Sequence, residues 1–184
     1  MKSGKARPHH RIEIFVRTIE QLFNTMDPSP FHEKDLDRDA EEFIVSWAQE
    51  YPVRDSLALI VHLHGPSTGA DATLSVRAAV HNYFAYRKKL NRQALTHLLK
   101  QGRISLVIGV VFLAACLLMR ELLVTGEPRT FHSLARESLT IAGWVAMWRP
   151  MQVFLYDWWP LLRLNRIYRK LSHMPVELKF REES

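Results

Sequence analysis

The chain has 184 residues, 47% of them hydrophobic and 24% charged, with a formal charge of +6 and one cysteine. That length suffices for one compact domain, or for a smaller domain with a membrane anchor. The lone Cys116 excludes an intrachain disulfide framework and a Cys-x-x-Cys zinc site, and the basic excess leaves nucleic acid and anionic membrane as partners to be separated by where the charges lie.

The start, MKSGKARPHHRIEIF, is basic but has no long apolar run, so no cleaved signal peptide is expected. RIEIFVRT, residues 11–18, alternates with Ile12, Ile14 and Val16 on one face, which is strand periodicity. TIEQLFNTM follows with Ile19, Leu22 and Phe23 at helical spacing. The next segment, Asp27, Pro28, Ser29, Pro30 and Phe31, stops that helix, because prolines lack a backbone donor and push the preceding residue toward extended geometry. A loop held by prolines presents side chains at low entropic cost, and this one is expected to dock soluble partners.

DLDRDAEE, residues 35–42, is rich in carboxylates, but a calcium loop needs glycine at its sixth position and glutamate at its twelfth. Ala40 and Ser46 stand there, so the acids are expected to be a solvated helix N-terminus. That helix runs from Asp37 or Asp39 to about Glu50, with Phe43, Ile44, Trp47 and Ala48 on one face. Asp39 with Glu42 resembles a capping box. SLALIVHLH, residues 56–64, reads as a strand closed by Gly65 and Pro66. His62 and His64 share a face of it, and His81 or His97 would be needed to complete a metal site. Zinc ligands are usually spaced more tightly, so no metal and no cofactor is expected. A helix from about Ala72 to Gln101 then leads to Gly102, the expected hinge.

Residues 104–119, ISLVIGVVFLAACLLM, carry no charge, and the segment 103–124 is long enough to cross a hydrocarbon core of about 30 Å. Cys116 inside it reads as a buried inert thiol. A second run, 139–162, is of span length but interrupted by Arg149, Pro150, Asp157 and Pro160. Arg77, Arg87, Lys88, Lys89, Arg92, Lys100 and Arg103 precede the first run, and Arg163, Arg166, Arg169 and Lys170 follow the second. The connection 125–138 balances two arginines with two glutamates. Basic flanks stay in the cytosol, so both termini are expected inside and the connection outside. The basic excess thereby points to the lipid bilayer as partner and not to nucleic acid. MPVELKF near the end alternates Val176, Leu178 and Phe180, a strand that would return to the N-terminal sheet. The expected fold class is α+β: a cytosolic sheet with helices, built from 1–101 and 163–184, plus a two-helix transmembrane hairpin.

Within the second run, Arg149 would lie about 16 Å below the outer interface, where an arginine is costly unless it faces protein or water. Asp157 follows about 12 Å further on and some 80° around a straight helix, so a direct pair is not expected. Arg149 and Asp157 are therefore candidate polar anchors for another chain, with snorkelling of Arg149 to lipid phosphate as the competing reading. Gly143 and Ala146 are candidate helix contacts, and Pro150 frees the carbonyl of Ala146. Tyr156, Trp158 and Trp159 fit an aromatic belt at the cytosolic boundary.

QLFNTMDPSPF at 21–31, GWVAMWRP followed by LYDWWP within 143–160, and the terminal VELKF together resemble a family of small bacterial two-span membrane proteins. The resemblance implies an inner-membrane setting and a cytosolic α+β domain, and that family supplies no catalytic residues. The chain itself has no glycine-rich phosphate loop and no evident nucleophile with a base, so no enzyme is expected. The expected role is an interaction or assembly module that self-associates or joins another membrane protein. The alternatives are a small oligomeric channel or transporter subunit with Arg149 lining a polar path, and a membrane-tethered enzyme.

Overall fold

The computed structural model describes residues 9–30, 34–64, 69–122 and 130–181. In chain order the elements are β1 (His9–Val16), a 3-10 turn (Ile19–Leu22), α1 (Arg38–Glu50), β2 (Ser56–His64), α2 (Gly69–Leu122), α3 (Thr130–Ala146), α4 (Trp148–Gln152), a π turn (Val153–Asp157), α5 (Trp158–Leu171) and β3 (Val176–Arg181). The chain divides into two compact units, one of Met1–Asn91 with Arg163–Ser184 and the other of Arg92–Leu162.

The first unit is mixed helix and sheet. Its three strands are parallel, with β2 in the centre and β1 and β3 at the edges. Ile12 sits opposite Leu59, and Leu59 opposite Val176, so one face of the sheet gathers the apolar residues of all three strands. Helices cover that face with stripes at helical spacing. α1 contributes Ile44 and Ala48, α2 contributes Val76, Val80 and Phe84, and α5 contributes Ile167 and Leu171, all buried. The strand expected near the C-terminus thus does close the N-terminal sheet, and β2 keeps its expected bounds.

Three local expectations are corrected. Residues 19–22 make only a 3-10 turn, because Leu22 and Phe23 are pulled into the core and Phe23 pairs with Leu36 in an isolated antiparallel bridge. The cap of α1 is Asp37 and not Asp39: the Asp37 carboxylate accepts from the Asp39 N–H at 3.0 Å. The supposed hinge at Gly102 is the interior of an unbroken 54-residue helix. Several basic residues grouped with the membrane flanks are also spent inside the first unit. Arg77 donates to the Val176 carbonyl at 3.2 Å, Arg163 to the Gln49 carbonyl at 3.0 Å and Lys170 to the Pro52 carbonyl at 3.3 Å.

The second unit is a pair of helical arms. Among the described residues one helical stretch, Ala72–Leu122, is long and apolar enough to cross a membrane, and only 17% of its most apolar window is buried. The second run, expected as one span over 139–162, is divided instead between α3, α4, the π turn and α5, and the connection expected over 125–138 is already helical from Thr130. Residues 123–129 lie outside the described set.

What the two arms bury is narrow. On α2 it is Gly102, Gly109 and Cys116, seven residues apart, with Ser105 and Leu113 half-buried between them. On the returning arm it is Gly143, Pro150 and Val153. The glycines are there because nothing larger fits. A Cβ at Gly102 would lie 2.6 Å from Val153 Cγ1, and one at Gly143 would lie 2.7 Å from Leu113 Cδ1. At Gly109 it would meet the Ala146 carbonyl oxygen at 3.1 Å. Pro150 has no N–H to offer that carbonyl, so the oxygen freed by the proline is the atom packed against Gly109.

Gly109→Leu should therefore push the arms apart, since backbone rather than a flexible side chain must give way. The expected loss is about 1–3 kcal/mol in denaturant unfolding of the full chain in detergent. Val110→Leu, on the exposed side of the same turn, should leave the midpoint unchanged. Equal stability of Gly109→Leu and the parent chain would contradict the close approach.

Candidate functional site

Arg149 and Asp157, which a straight helix would hold apart, form a pair: Arg149 Nη1 donates to Asp157 Oδ2 at 3.3 Å. The π turn at 153–157 is what brings them together. Its i→i+5 bonding turns the chain through a smaller angle per residue than an α-helix, so eight residues on the side chains share a face. Pro160 explains the turn in part, because it cannot donate to the carbonyl of Tyr156 as an α-helical residue would. Trp158 supplies another compensation, its indole N–H donating to the Phe154 carbonyl at 2.8 Å. Its neighbour Trp159 packs edge-on against it, with ring centroids 5.7 Å apart. Trp159 and Tyr156 are exposed, whereas Trp158 is half-buried and ties the helix turn through that bond.

The Arg149 side chain is 51% exposed and that of Asp157 27%, so the pair lies on the outer side of the arm. Gly143 and Pro150 face inward instead, and Ala146 lies half-buried with its carbonyl against Gly109. The expected helix contacts are thus contacts within the chain.

A second polar cluster, in the first unit, went unrecognised in the sequence. Glu41 of α1 accepts from the Tyr83 hydroxyl and from Arg87 Nε of α2, each at 2.6 Å. The Arg87 guanidinium carbon also stands 5.8 Å from the centre of the Tyr168 ring. Burial, then the acceptor Glu41, push the Tyr83 phenol far above its ordinary range. Burial opposes the charge on Arg87, but Glu41 and the two phenols outweigh it and its pKa is raised. Both oxygens of Glu41 and the proton of Tyr83 are committed, so the cluster ties α1 to α2 and offers no free base. Beside it lies an open cavity of about 380 Å³ bordered by Arg38, Glu42, Gln49 and Tyr168. The available signal was Arg87 itself, which continues the core stripe of Val76, Val80 and Phe84 and so demanded a partner.

The proline loop is tied from within. The Asp27 carboxylate accepts from the Asp35 N–H at 2.8 Å with one oxygen and from the Ser29 N–H at 2.9 Å with the other. The Asn24 N–H donates to the Asp35 carbonyl at 2.8 Å, so the two ends of the loop are stapled. Pro28 and Pro30 are exposed on either side of the half-buried Ser29 at the bend, while Phe31 lies outside the described residues. The Asp35 backbone donor, then Ser29, hold the Asp27 carboxyl below its usual range, whereas burial and the charge of Asp27 raise that of Asp35.

His62 and His64 do not meet a third ligand: among the described residues no group of three His, Cys, Asp or Glu side chains is placed to hold a metal. His62 stacks on Phe15 at 4.4 Å and contacts Glu13 at 3.2 Å, while His81 Nε2 is 2.7 Å from the Met174 carbonyl oxygen. Compared with family models, with curated proteins and with solved structures, the chain matches none.

Two outcomes follow from this geometry. The pairing of Arg149 with Asp157 should appear as a coupling of about 0.5–1 kcal/mol in a double-mutant cycle of Arg149→Met and Asp157→Asn in detergent; additive single effects would remove it. A carboxyl whose folded pKa is depressed stabilises its loop above the unfolded value of 3.8 and loses that effect as pH falls through the folded pKa. The Asp35 and Ser29 amide resonances should therefore shift together below about pH 4 and lose that titration in Asp27→Asn. Amides unmoved by acid would show that no such staple forms.

Proposed function

We propose that the chain is a non-enzymatic integral membrane protein that crosses a bacterial inner membrane twice, keeps both termini in the cytoplasm, and serves as an interaction or assembly module. The observation that carries the reading is the inverted distribution of side chains in the second unit. Val107, Ile108, Val111 and Leu118 on the outgoing arm, and Ile141, Trp144, Val145 and Trp148 on the returning arm, all stand exposed. The buried seam between the arms holds mainly glycine and other small side chains. In water the apolar side chains would turn inward. In lipid they gain nothing by doing so, and helices associate through small residues that let their backbones touch. The charge asymmetry of the flanks supports the orientation.

Several features support an adaptor over an enzyme or a channel subunit. Glu41, Tyr83 and Arg87 satisfy one another, and Arg149 takes a carboxylate within its own chain rather than awaiting one across a pore. The stapled loop around Asp27 and the two edge strands are the surfaces left for partners.

The reading is tested by single cysteines in a Cys116→Ala background, probed in intact cells with a membrane-impermeant maleimide. Gly126→Cys should be labelled from outside, whereas Lys89→Cys and Lys179→Cys should react only after the membrane is opened. Labelling of Lys179→Cys in intact cells, or recovery of the chain in the soluble fraction, would defeat the proposal.

A further inference from the structure

β1 is an edge strand, and its free edge can be described group by group. The Leu59 N–H bonds to the Pro175 carbonyl at 2.9 Å, so the odd-numbered residues of β2 turn their backbone groups toward β3. The even-numbered residues must then turn theirs toward β1. Ile60 stands opposite Glu13, so in a parallel ladder it bonds to Ile12 and Ile14, its neighbours on either side. Arg11, Glu13 and Phe15 are left with N–H and C=O directed outward, and among the described residues no strand pairs with them. An unpaired edge about 26 Å long is a template for another strand.

The side chains say which strand fits. Arg11, Glu13 and Phe15 all project from the face of the sheet opposite the one that carries Ile12, Leu59 and Val176, and all three are exposed. Phe15 is 63% exposed although it stacks on His62. We propose that the free edge of β1 is a self-association surface, on which β1 of a second copy of this chain pairs antiparallel to β1 about a two-fold axis at Ile12. Two three-stranded sheets then join into one of six strands.

The charges select that axis. Outward-directed residues must face one another, so the neighbouring two-fold registers centre on Arg11, Ile12 or Glu13. Centred on Arg11, two arginines face across the axis; centred on Glu13, two glutamates do. Centred on Ile12, each Arg11 faces the Glu13 of the other copy, and it does so twice by symmetry. Ile12 then meets its own counterpart at a position whose backbone groups turn inward, so no ladder bond is lost there. The Glu13 side chain is 46% exposed despite its contact with His62, so it is accessible to the incoming guanidinium. The inference concerns the sheet of the first unit alone, and its tests read out independently of whether the second unit crosses a bilayer.

The experiment uses the full chain in detergent, with mass measured by light scattering and fold checked by circular dichroism. The parent chain should be a dimer. Arg11→Glu and Glu13→Arg should each weaken dimerisation roughly tenfold, because both place like charges opposite one another. The double exchange, Arg11→Glu with Glu13→Arg, should restore it. In a Cys116→Ala background, copies with Arg11→Cys mixed with copies with Glu13→Cys should cross-link on oxidation, while neither alone should. A monomeric parent chain would overturn the proposal, as would single charge reversals that leave the dimer unaffected. Disulfides formed in a single-cysteine sample would overturn the Ile12 axis.

Discussion

The parallel pairing of β2 with β3 is the constraint on which the other features depend. Parallel neighbours cannot be joined by a tight turn; the chain must leave one end of β2 and come back to the equivalent end before it can start β3. Here that crossover is the whole of α2 to α5, including the second compact unit. An outgoing arm without a returning one would leave β3 with nowhere to pair, and Val176, fully buried beside Leu59, would have no core to join. The return of the chain through α3, α4 and α5 is therefore required by the sheet as much as by anything around it.

The two arms differ in how regular they are. The outgoing arm is one unbroken helix, so its buried positions recur every seven residues at Gly102, Gly109 and Cys116. The returning arm carries two prolines, and each deprives a carbonyl of its usual donor. One of these oxygens is packed against Gly109, and the π turn and the Trp158 indole accommodate the region around the other. Such irregularity is tolerated only where other groups cover the exposed backbone. It also sets the phase that lets Arg149 reach Asp157, so an ion pair, a widened turn and two prolines form one local arrangement.

Much of this was legible in the amino-acid order, for identifiable reasons. β2 could be delimited because the apolar residues Leu57 to Val61 and Leu63 lie between turn formers, and β3 because Val176, Leu178 and Phe180 alternate. The apolar half of α2 announced itself by length and lack of charge. What escaped were contacts that depend on distant partners or on a changed helical pitch. Glu41 and Arg87 lie on different helices, and nothing local to DLDRDAEE marks one glutamate as a buried ligand. α-helical geometry sets Arg149 and Asp157 on different sides of the helix, and the π turn invalidates that angle. Gly102 reads as flexible in isolation, yet its function is to let Val153 approach. The segment after Thr18 has helical spacing, but burial of Leu22 and Phe23 limits it to a single tight turn.

The long stretch of chain between β2 and β3 bears on biosynthesis. β2 is the centre of the sheet, with five consecutive buried residues, yet its second neighbour leaves the ribosome only after all of α2 to α5. At roughly 5–20 residues per second, that strand waits on the order of ten seconds with one side unpaired. During this interval Leu59 and Val61 would be exposed to any other nascent strand. A chaperone, or rapid delivery of the growing polypeptide to its destination, is therefore most needed after β2 has emerged and before β3 follows.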